Sequence, residues 1–272
     1  MLYANPNSTS TMRRSGWDKR VRRAADLAER FAYAQEILAF YGEVLRLQQK
    51  IAEEISAPPA SPEANAPFRV RLDLIDAGRH LSALLSLVEQ KGTAKLSEEA
   101  KIVRGLAPEQ QREILQKYLA GEAGPHGFFA RALLQPYAEC LAATAILSPP
   151  AGDRFACPVC EARPQAAVLH PEGDGGKRFL LCSFCLTEWE FRRILCPACG
   201  EENHQKLPRY SAEDLETVRV EACDTCHFYL KSIDLTVDGL AVPLVDEVAS
   251  VPLDLWATEH GYKKIEPNLM GF

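Results

Sequence analysis

Four short segments between residues 155 and 226 decide the fold: FACPVC at 155–160, LCSFC at 181–185, LCPACG at 195–200 and EACDTC at 221–226. Each contains two cysteines with two residues between them, a spacing at which both sulfurs of a tight turn point at one metal ion. The first two pairs are 21 residues apart and the last two are 23 apart, close to the spacing of four-thiolate sites. The pattern predicts two metal sites built from Cys157, Cys160, Cys182, Cys185, Cys196, Cys199, Cys223 and Cys226.

The two halves of this region resemble each other. The first cysteine pair is offset by 39 residues from the third, and the second pair by 41 residues from the fourth. Each half is predicted to contain a cysteine turn, an extended segment, a second cysteine turn and a strand. A reversal is expected at 173–176, and a strand over 187–194, with Trp189 and Phe191 on one face, joins the halves. Modules of this size have little core, so metal binding supplies much of their folding free energy.

The spacing alone leaves three alternatives open: redox chemistry at one cysteine pair, structural disulfides, and a different pairing of the cysteine turns. A single C-x-x-C pair can act as a dithiol oxidoreductase, although that use normally needs a strand–helix–strand setting that the pattern lacks. Disulfides are disfavoured in a reducing cytoplasm. The turns can also combine crosswise, first with third and second with fourth, but consecutive turns close shorter loops and lose less entropy.

The metal is less clearly specified than the site, because four soft thiolates suit zinc and iron alike. The segment from Cys196 to Gly200 looks like a rubredoxin turn, in which backbone N–H groups donate to the sulfurs, and zinc ribbons use the same turn. His170, His204 and His227 are alternative ligands, but eight thiolates already complete two shells. A closed shell leaves no position for water or substrate, so metal-based hydrolysis is not expected.

Residues 1–150 differ from the cysteine-rich region because their apolar residues recur at helical spacing. This pattern predicts a long or broken helix over 21–55, a loop at 57–62 and a linker at 148–152. Further helices are predicted over 72–90, after a Ser97 cap, from Pro108 to Gly121, and over 128–147 with a kink at Pro136. The ninth cysteine, Cys140, is interpreted as a small buried apolar residue.

The predicted fold class is therefore α+β. An all-α helical domain at 1–150 is followed by two tandem metal modules, rubredoxin-like or zinc-ribbon-like, at 151–195 and 196–272. The second module carries a C-terminal extension. With 272 residues, 47% of them hydrophobic and 25% charged, the chain has enough apolar material for a core and is not disordered as a whole.

Charge argues against a nucleic-acid partner. The chain has a formal net charge of −6, and residues 151–235 contain 10 Lys and Arg against 14 Asp and Glu. Four thiolates around a divalent ion add a further −2 at each site, whereas phosphate binding needs clustered cations. The Arg13–Arg14 pair precedes no apolar segment of the kind that an export signal requires, and no stretch approaches the length of a membrane span. We therefore expect a cytoplasmic protein without stable membrane insertion.

The sequence resembles the formate dehydrogenase accessory protein family, FdhE. The resemblance is carried by the segment from Leu181 to Gly200, with its Trp189 and Arg192–Arg193, and by the segment from Glu221 to Lys231. It continues in Leu253-Asp254-Leu255-Trp256-Ala257 and Gly261-Tyr262, and it is strong from about residue 155 to the end. The one departure is Glu161, where a glycine would be usual.

The resemblance implies a cytoplasmic assembly and maturation protein, a chaperone and not an enzyme, whose partner is the catalytic subunit of a respiratory formate dehydrogenase before twin-arginine export. It implies rubredoxin-like folds that bind iron at two sites, with zinc possible. By matching position, Cys157, Cys160, Cys182 and Cys185 form one site, and Cys196, Cys199, Cys223 and Cys226 form the other. A rubredoxin-like electron-transfer or redox module is the alternative function, and a homodimer stays open.

Overall fold

A computed structural model describes residues 10–55, 68–72, 74–122, 124–145, 153–173 and 175–272. The predicted loop at 57–62 and linker at 148–152 lie outside these residues, as does residue 174 of the predicted reversal. The chain forms two compact units. A helical unit lies within residues 3–21 and 39–146, and a sheet unit lies within residues 22–38 and 147–272. The domain boundaries at residues 150 and 195 stay predictions.

The predicted helix over 21–55 is broken into two. Helix α1 spans Ser10–Arg30 and helix α2 spans Gln35–Glu54, with a 3-10 turn at Ala32–Ala34 between them. Phe31 takes extended backbone angles, φ −115° and ψ 93°, which interrupt the helix. The apolar period continues through the break, and for this reason the pattern does not reveal it.

The first turns of α1 extend the helix beyond its predicted start. Trp17 is buried in the helical unit, and the Arg20 guanidinium lies 4.4 Å from the centre of its ring. Arg20 also donates to both carboxylate oxygens of Glu139, at 2.8 and 2.6 Å. These tertiary contacts stabilise a basic segment that has little apolar periodicity of its own.

The rest of the helical unit contains five helices within the described residues: α3 (Leu74–Gly78), α4 (Leu81–Lys91), α5 (Ala94–Gly105), α6 (Pro108–Leu119) and α7 (Gly127–Ala142). The single helix predicted over 72–90 is wrong, because the chain turns at Arg79 and His80 between α3 and α4. The Ser97 cap is also wrong. Thr93 caps α5 by accepting from the Leu96 N–H at 3.3 Å, so the helix begins earlier.

Helix α7 is the most buried helix of this unit. Thirteen of its 16 residues are buried, including Cys140, as predicted for a core thiol. Pro108 occupies the first turn of α6, as expected, and Pro136 lies inside α7, where the predicted kink stays a prediction. The predicted end of α7 at residue 147 is wrong, because the helix ends at Ala142.

The sheet unit is built on one seven-stranded sheet. Its strands are β1 (Pro164–Glu172), β2 (Gly175–Cys182), β3 (Glu188–Glu190), β4 (Arg209–Ser211), β5 (Val218–Ala222), β6 (Phe228–Asp234) and β7 (Lys263–Lys264). The order is β3-β2-β1-β6-β5-β4, with β7 also paired to β6. Strands β1 and β6 run parallel, with Ala166 opposite Lys231 and Leu169 opposite Asp234. This pairing makes the two cysteine-rich halves one sheet.

The strand predicted over 187–194 is only three residues long, β3, although Trp189 and Phe191 are both buried as expected. Helices α8 (Pro243–Ala249) and α9 (Val251–Glu259) lie between β6 and β7 in the chain. Burial alternates along β5, whereas successive residues of the central strands β1 and β6 are buried. The core beside these helices contains Val168 of β1, Val220 of β5 and Ile233 of β6, together with Leu253 and Ala257 of α9.

Charged side chains are buried between β6 and the C-terminal helices. Lys231 and Glu247 are fully buried, and Lys231 donates to Asp254 at 2.5 Å. Lys264 bonds Glu247 and also donates to Asp254, at 2.8 Å. Burial opposes ionisation of Glu247, but the two lysines outweigh it and hold the pKa of this carboxyl at about 2. Across the described ranges, no helix combines the length and apolarity needed to span a membrane.

Candidate metal centres

The first cysteine cluster forms at the open end of the β1–β2 hairpin. The turn at 157–160 comes shortly before β1, and the turn at 182–185 begins with the last residue of β2. Pro164 lies opposite Cys182 in this antiparallel pair. The hairpin therefore holds the two cysteine turns side by side.

All four cysteines of this first cluster are buried. The Sγ atom of Cys157 lies 3.5 Å from that of Cys185, and the Sγ atom of Cys160 lies 3.4 Å from that of Cys182. The Thr187 hydroxyl lies 3.1 Å from the Cys185 sulfur. The sequence pattern did not single out this threonine.

The second cluster is built in the same way from the second half of the region. The turn at 196–199 precedes the β4–β5 pair, and the turn at 223–226 connects β5 to β6. The sulfurs of Cys196 and Cys226 are 3.7 Å apart, and so are those of Cys199 and Cys223. Cys199 is exposed and Cys226 is half-buried, so this cluster is open to solvent where the first is closed.

Consecutive cysteine turns are therefore the ones that pair. In each cluster the four ligand atoms lie within 4.8 Å of one another, and the crosswise combination is not the arrangement observed. Four sulfurs at about 2.3 Å from a zinc ion form a tetrahedron with edges of about 3.8 Å. The contacts of 3.4 to 3.7 Å fit such a shell. The donor set and its spacing thus suit a tetrahedral thiolate-bound metal.

The backbone supports this arrangement through hydrogen bonds to sulfur. The N–H groups of Val159 and Ala198 lie 3.4 Å from the first sulfur of their turns, and the Phe184 N–H lies 3.3 Å from the Cys182 sulfur. Burial raises the pKa of Cys182, and it raises the pKa of Cys196 to about 11. A bound cation reverses that effect, because it stabilises the thiolates that burial disfavours.

Three comparisons with known proteins address the identity of this chain. Residues 156–193 match the family model "FdhE, central domain", and residues 194–270 match "FdhE, C-terminal domain". The chain is 31% identical over 261 residues to "Protein FdhE homolog" of Aquifex aeolicus, covering 90% of this chain and 92% of that protein. It is 30% identical over 280 residues to the homologue of Pseudomonas putida, covering 93% and 86%. The chain belongs to the FdhE family.

A solved member of the FdhE family has the same fold. The crystal structure of the FdhE protein from Pseudomonas aeruginosa matches with a TM-score of 0.78 and 26% identity, over 99% of this chain and 98% of that one. This confirms the family that the sequence resemblance indicated. The predicted α+β class is confirmed as well, with a helical region followed by a sheet region that carries two four-cysteine clusters.

The glycine that would be usual at residue 161 has a structural reason, although this chain has Glu161 there. In every cysteine turn, the residue after the second cysteine has a positive φ: 62° at Glu161, 58° at Leu186, 79° at Gly200 and 57° at His227. This left-handed conformation favours glycine and costs other residues about 1–2 kcal/mol. Only one of the four turns has a glycine there, so three of them hold a strained residue.

The alternative histidine ligands do not join the clusters. Among the described residues, the two groups that could hold a metal consist of cysteines alone. His170 pairs with Glu188 at 2.6 Å, and this hydrogen bond raises the pKa of its imidazole. His204 lies on an exposed 3-10 turn, and His227 occupies the left-handed position of the fourth cysteine turn.

Proposed function

We propose that this member of the FdhE family is an accessory protein for the assembly of a respiratory formate dehydrogenase. It binds the catalytic subunit of that enzyme in the cytoplasm, before export by the twin-arginine route. It is a binding protein and not an enzyme. The observation that carries this proposal is the use of all eight clustered cysteines in two four-sulfur groups, since such shells leave no ligand position for a substrate.

The eight cysteines bind two metal ions, one in each cluster. Iron is the proposed metal, and zinc is the other ion that this donor set accepts. When bound, the metal supplies positive charge that holds four thiolates together and ties two cysteine turns to one point. The protein supplies the sulfur spacing, the backbone N–H donors and the hairpins that present them.

The surface around the second cluster is the proposed contact region for the catalytic subunit. Cys199 is exposed there, and Phe155 exposes 44% of its surface. A Cβ atom placed on Gly200 would lie 3.7 Å from the Phe155 ring, so this aromatic side chain sits directly on the third cysteine turn. Aromatic side chains are enriched in protein–protein interfaces relative to the rest of the protein surface.

Anaerobic purification followed by metal analysis and a visible spectrum tests the metal part of the proposal. We expect two metal ions per chain, and strong visible absorption when ferric iron occupies the sites. The Cys160→Ser and Cys199→Ser variants should each bind less metal, whereas Cys140→Ser, which alters a buried thiol outside the clusters, should bind as much as the wild type.

Co-purification with a tagged catalytic subunit of formate dehydrogenase tests the binding part. The wild type and Cys140→Ser should be retained, and Cys199→Ser should be retained less. Phe155→Ala should lose binding while keeping both metal ions. If the wild type is not retained, or if Cys199→Ser and Phe155→Ala are retained as well as the wild type, the proposal is wrong.

A further inference from the structure

A groove of about 550 Å³ lies within the sheet unit, and nothing described so far assigns it a role. One wall comes from the end of α1 and the break after it, with Leu27, Arg30, Phe31 and Tyr33. The other wall comes from residues 213–218, which lead into β5. Its volume lies in the range of ligand-binding clefts.

The rim of this groove carries an excess of negative charge. Glu213, Asp214 and Glu216 are exposed along it, and within the described part of the chain none of them has an ion-pair partner. Arg23 at the base is neutralised, because it donates to Asp246 at 2.6 Å and to a second carboxylate, Asp238, at 2.8 Å. The unpaired carboxylates therefore outnumber the remaining guanidinium, that of Arg30.

Aromatic side chains form the wall opposite these carboxylates. The rings of Phe31 and Tyr33 stack with their centres 5.4 Å apart, and Tyr33 exposes half of its surface. Phe31 packs against the core of the sheet unit, and the Arg30 guanidinium lies over its ring, 4.9 Å from the centre, so Tyr33 is the aromatic side chain left exposed in the groove. Tyr33 and Asp214 line the same groove, and burial together with the Asp214 carboxylate raises the pKa of the Tyr33 phenol.

An aromatic face opposite carboxylates is suited to a cationic side chain. A lysine or arginine can place its apolar stem along the Tyr33 ring and its charge among the carboxylates. The same negative rim repels nucleic-acid phosphates and acidic peptides. The occupant therefore carries positive charge together with apolar surface.

We propose that this groove binds an extended segment of the client protein in which a lysine or arginine lies next to an apolar residue. The inference rests on the proposed function, because it assigns a second contact to the same client, the catalytic subunit of formate dehydrogenase. Charge complementarity selects the segment, and the exposed ring of Tyr33 contacts its apolar part.

Two sets of variants test the groove. Glu213→Gln/Asp214→Asn/Glu216→Gln removes the rim charge without changing side-chain size. The matched control is Asp26→Asn/Glu29→Gln/Glu36→Gln, which makes the same change in charge at exposed positions on α1 and α2 that do not line the groove. Tyr33→Phe and Tyr33→Ala separate the hydroxyl from the ring.

The measurements are binding of the purified catalytic subunit, and of overlapping 15-residue peptides that span it, at low and high salt. We expect the rim variant to bind the subunit about tenfold more weakly at low salt, with the difference shrinking at high salt. The control and Tyr33→Phe should bind like the wild type, and Tyr33→Ala should bind more weakly. Peptides bound by the wild type should contain a basic residue beside an apolar one.

The results distinguish a failure of the groove proposal from a failure of the proposed function. If the wild type binds the subunit and the rim variant binds equally well, the groove proposal is wrong and the proposed function stands. If the peptides that bind are acidic, or if the control triple loses as much affinity as the rim variant, the groove proposal is also wrong. If the wild type binds neither the subunit nor any peptide, the proposed function fails and the groove proposal fails with it.

Discussion

The two cysteine clusters share one construction and differ in exposure. Both place paired C-x-x-C turns at the ends of antiparallel strands, and both bring four sulfurs within 4.8 Å. The first cluster is buried at all four positions, whereas Cys199 of the second is exposed and Cys226 is half-buried. The same type of turn is therefore buried inside the sheet unit in the first cluster and lies at its surface in the second.

This difference predicts that the two clusters have different roles. A buried four-sulfur group excludes water and fixes the hairpin that carries it, so its contribution is to folding. An exposed group of the same composition is reachable by solvent, thiol reagents and partners. We expect damage to the first cluster to lower stability most, and damage to the second to alter accessibility and binding.

The largest expected effect comes from removing one ligand in each cluster. Cys160→Ala should destabilise the sheet unit by more than about 4 kcal/mol, because no water can replace a ligand at a buried position. Cys199→Ala should cost about 2 kcal/mol, since water can complete the shell at an exposed position. Thermal unfolding and metal analysis measure both, and equal losses in the two variants would remove the distinction between the clusters.

The next effect concerns the strand that both halves share. Lys231 of β6 is fully buried with Glu247 and Asp254, so Lys231→Met leaves buried carboxylates without one of their partners. We expect a loss of about 3–5 kcal/mol in urea denaturation. Lys177→Met, which breaks a more exposed pair with Glu190, should cost less than about 1 kcal/mol.

Because β6 pairs with both β1 and β5, the Lys231 variant should loosen both clusters together. Metal release from the two clusters should accelerate by similar factors, unlike the unequal effects of the cysteine variants. Acceleration confined to one cluster would show that the shared sheet does not couple them.

Backbone strain after the second cysteine of each turn gives a smaller effect. Gly200→Ala forces a side chain into a left-handed conformation and should destabilise by about 1 kcal/mol. Glu161→Gly removes the same strain in the first cluster, where the side chain is exposed, and should stabilise by up to about 1 kcal/mol. If calorimetry shows that Gly200→Ala lowers the free energy of unfolding and Glu161→Gly raises it, the result supports a turn geometry common to the clusters. A stabilising Gly200→Ala change would contradict it.

The smallest effect belongs to a surface pair in the first half. The hydrogen bond that the His170 imidazole donates to Glu188 raises the pKa of His170, so the pair stabilises the fold at low pH and loses that contribution as pH rises through the raised value. In an NMR titration, Glu188→Gln should lower the pKa of His170 towards its ordinary value. An unchanged titration would mean that the pair does not form in solution.

The cysteine clusters were predictable because C-x-x-C spacing is a local property of the chain. Two cysteines in one tight turn point the same way wherever the turn lies, and loop entropy favours joining consecutive turns. Helices α6 and α7 were similarly predictable from proline and apolar periodicity. In the structure, Pro108 begins α6 and the apolar residues of α7 are buried.

Other features depend on contacts between distant residues. Nothing near β1 or β6 in the sequence indicates their parallel pairing, which links Ala166 to Lys231. A lysine is normally exposed, so the burial of Lys231 requires carboxylates from α8 and α9 that only the fold brings to it. The exposure of Cys199 likewise depends on what covers the turn and not on its spacing.

Mild alkylation of the metal-loaded protein tests the central claim most directly. Limiting N-ethylmaleimide is added while metal release is followed, and modified cysteines are identified by mass spectrometry. We predict release in two phases, one ion in each, with Cys199 and Cys226 modified in the first phase and the four buried cysteines of the first cluster in the second. Release of both ions in a single phase, or earlier modification of Cys157, Cys160, Cys182 and Cys185, would contradict the account.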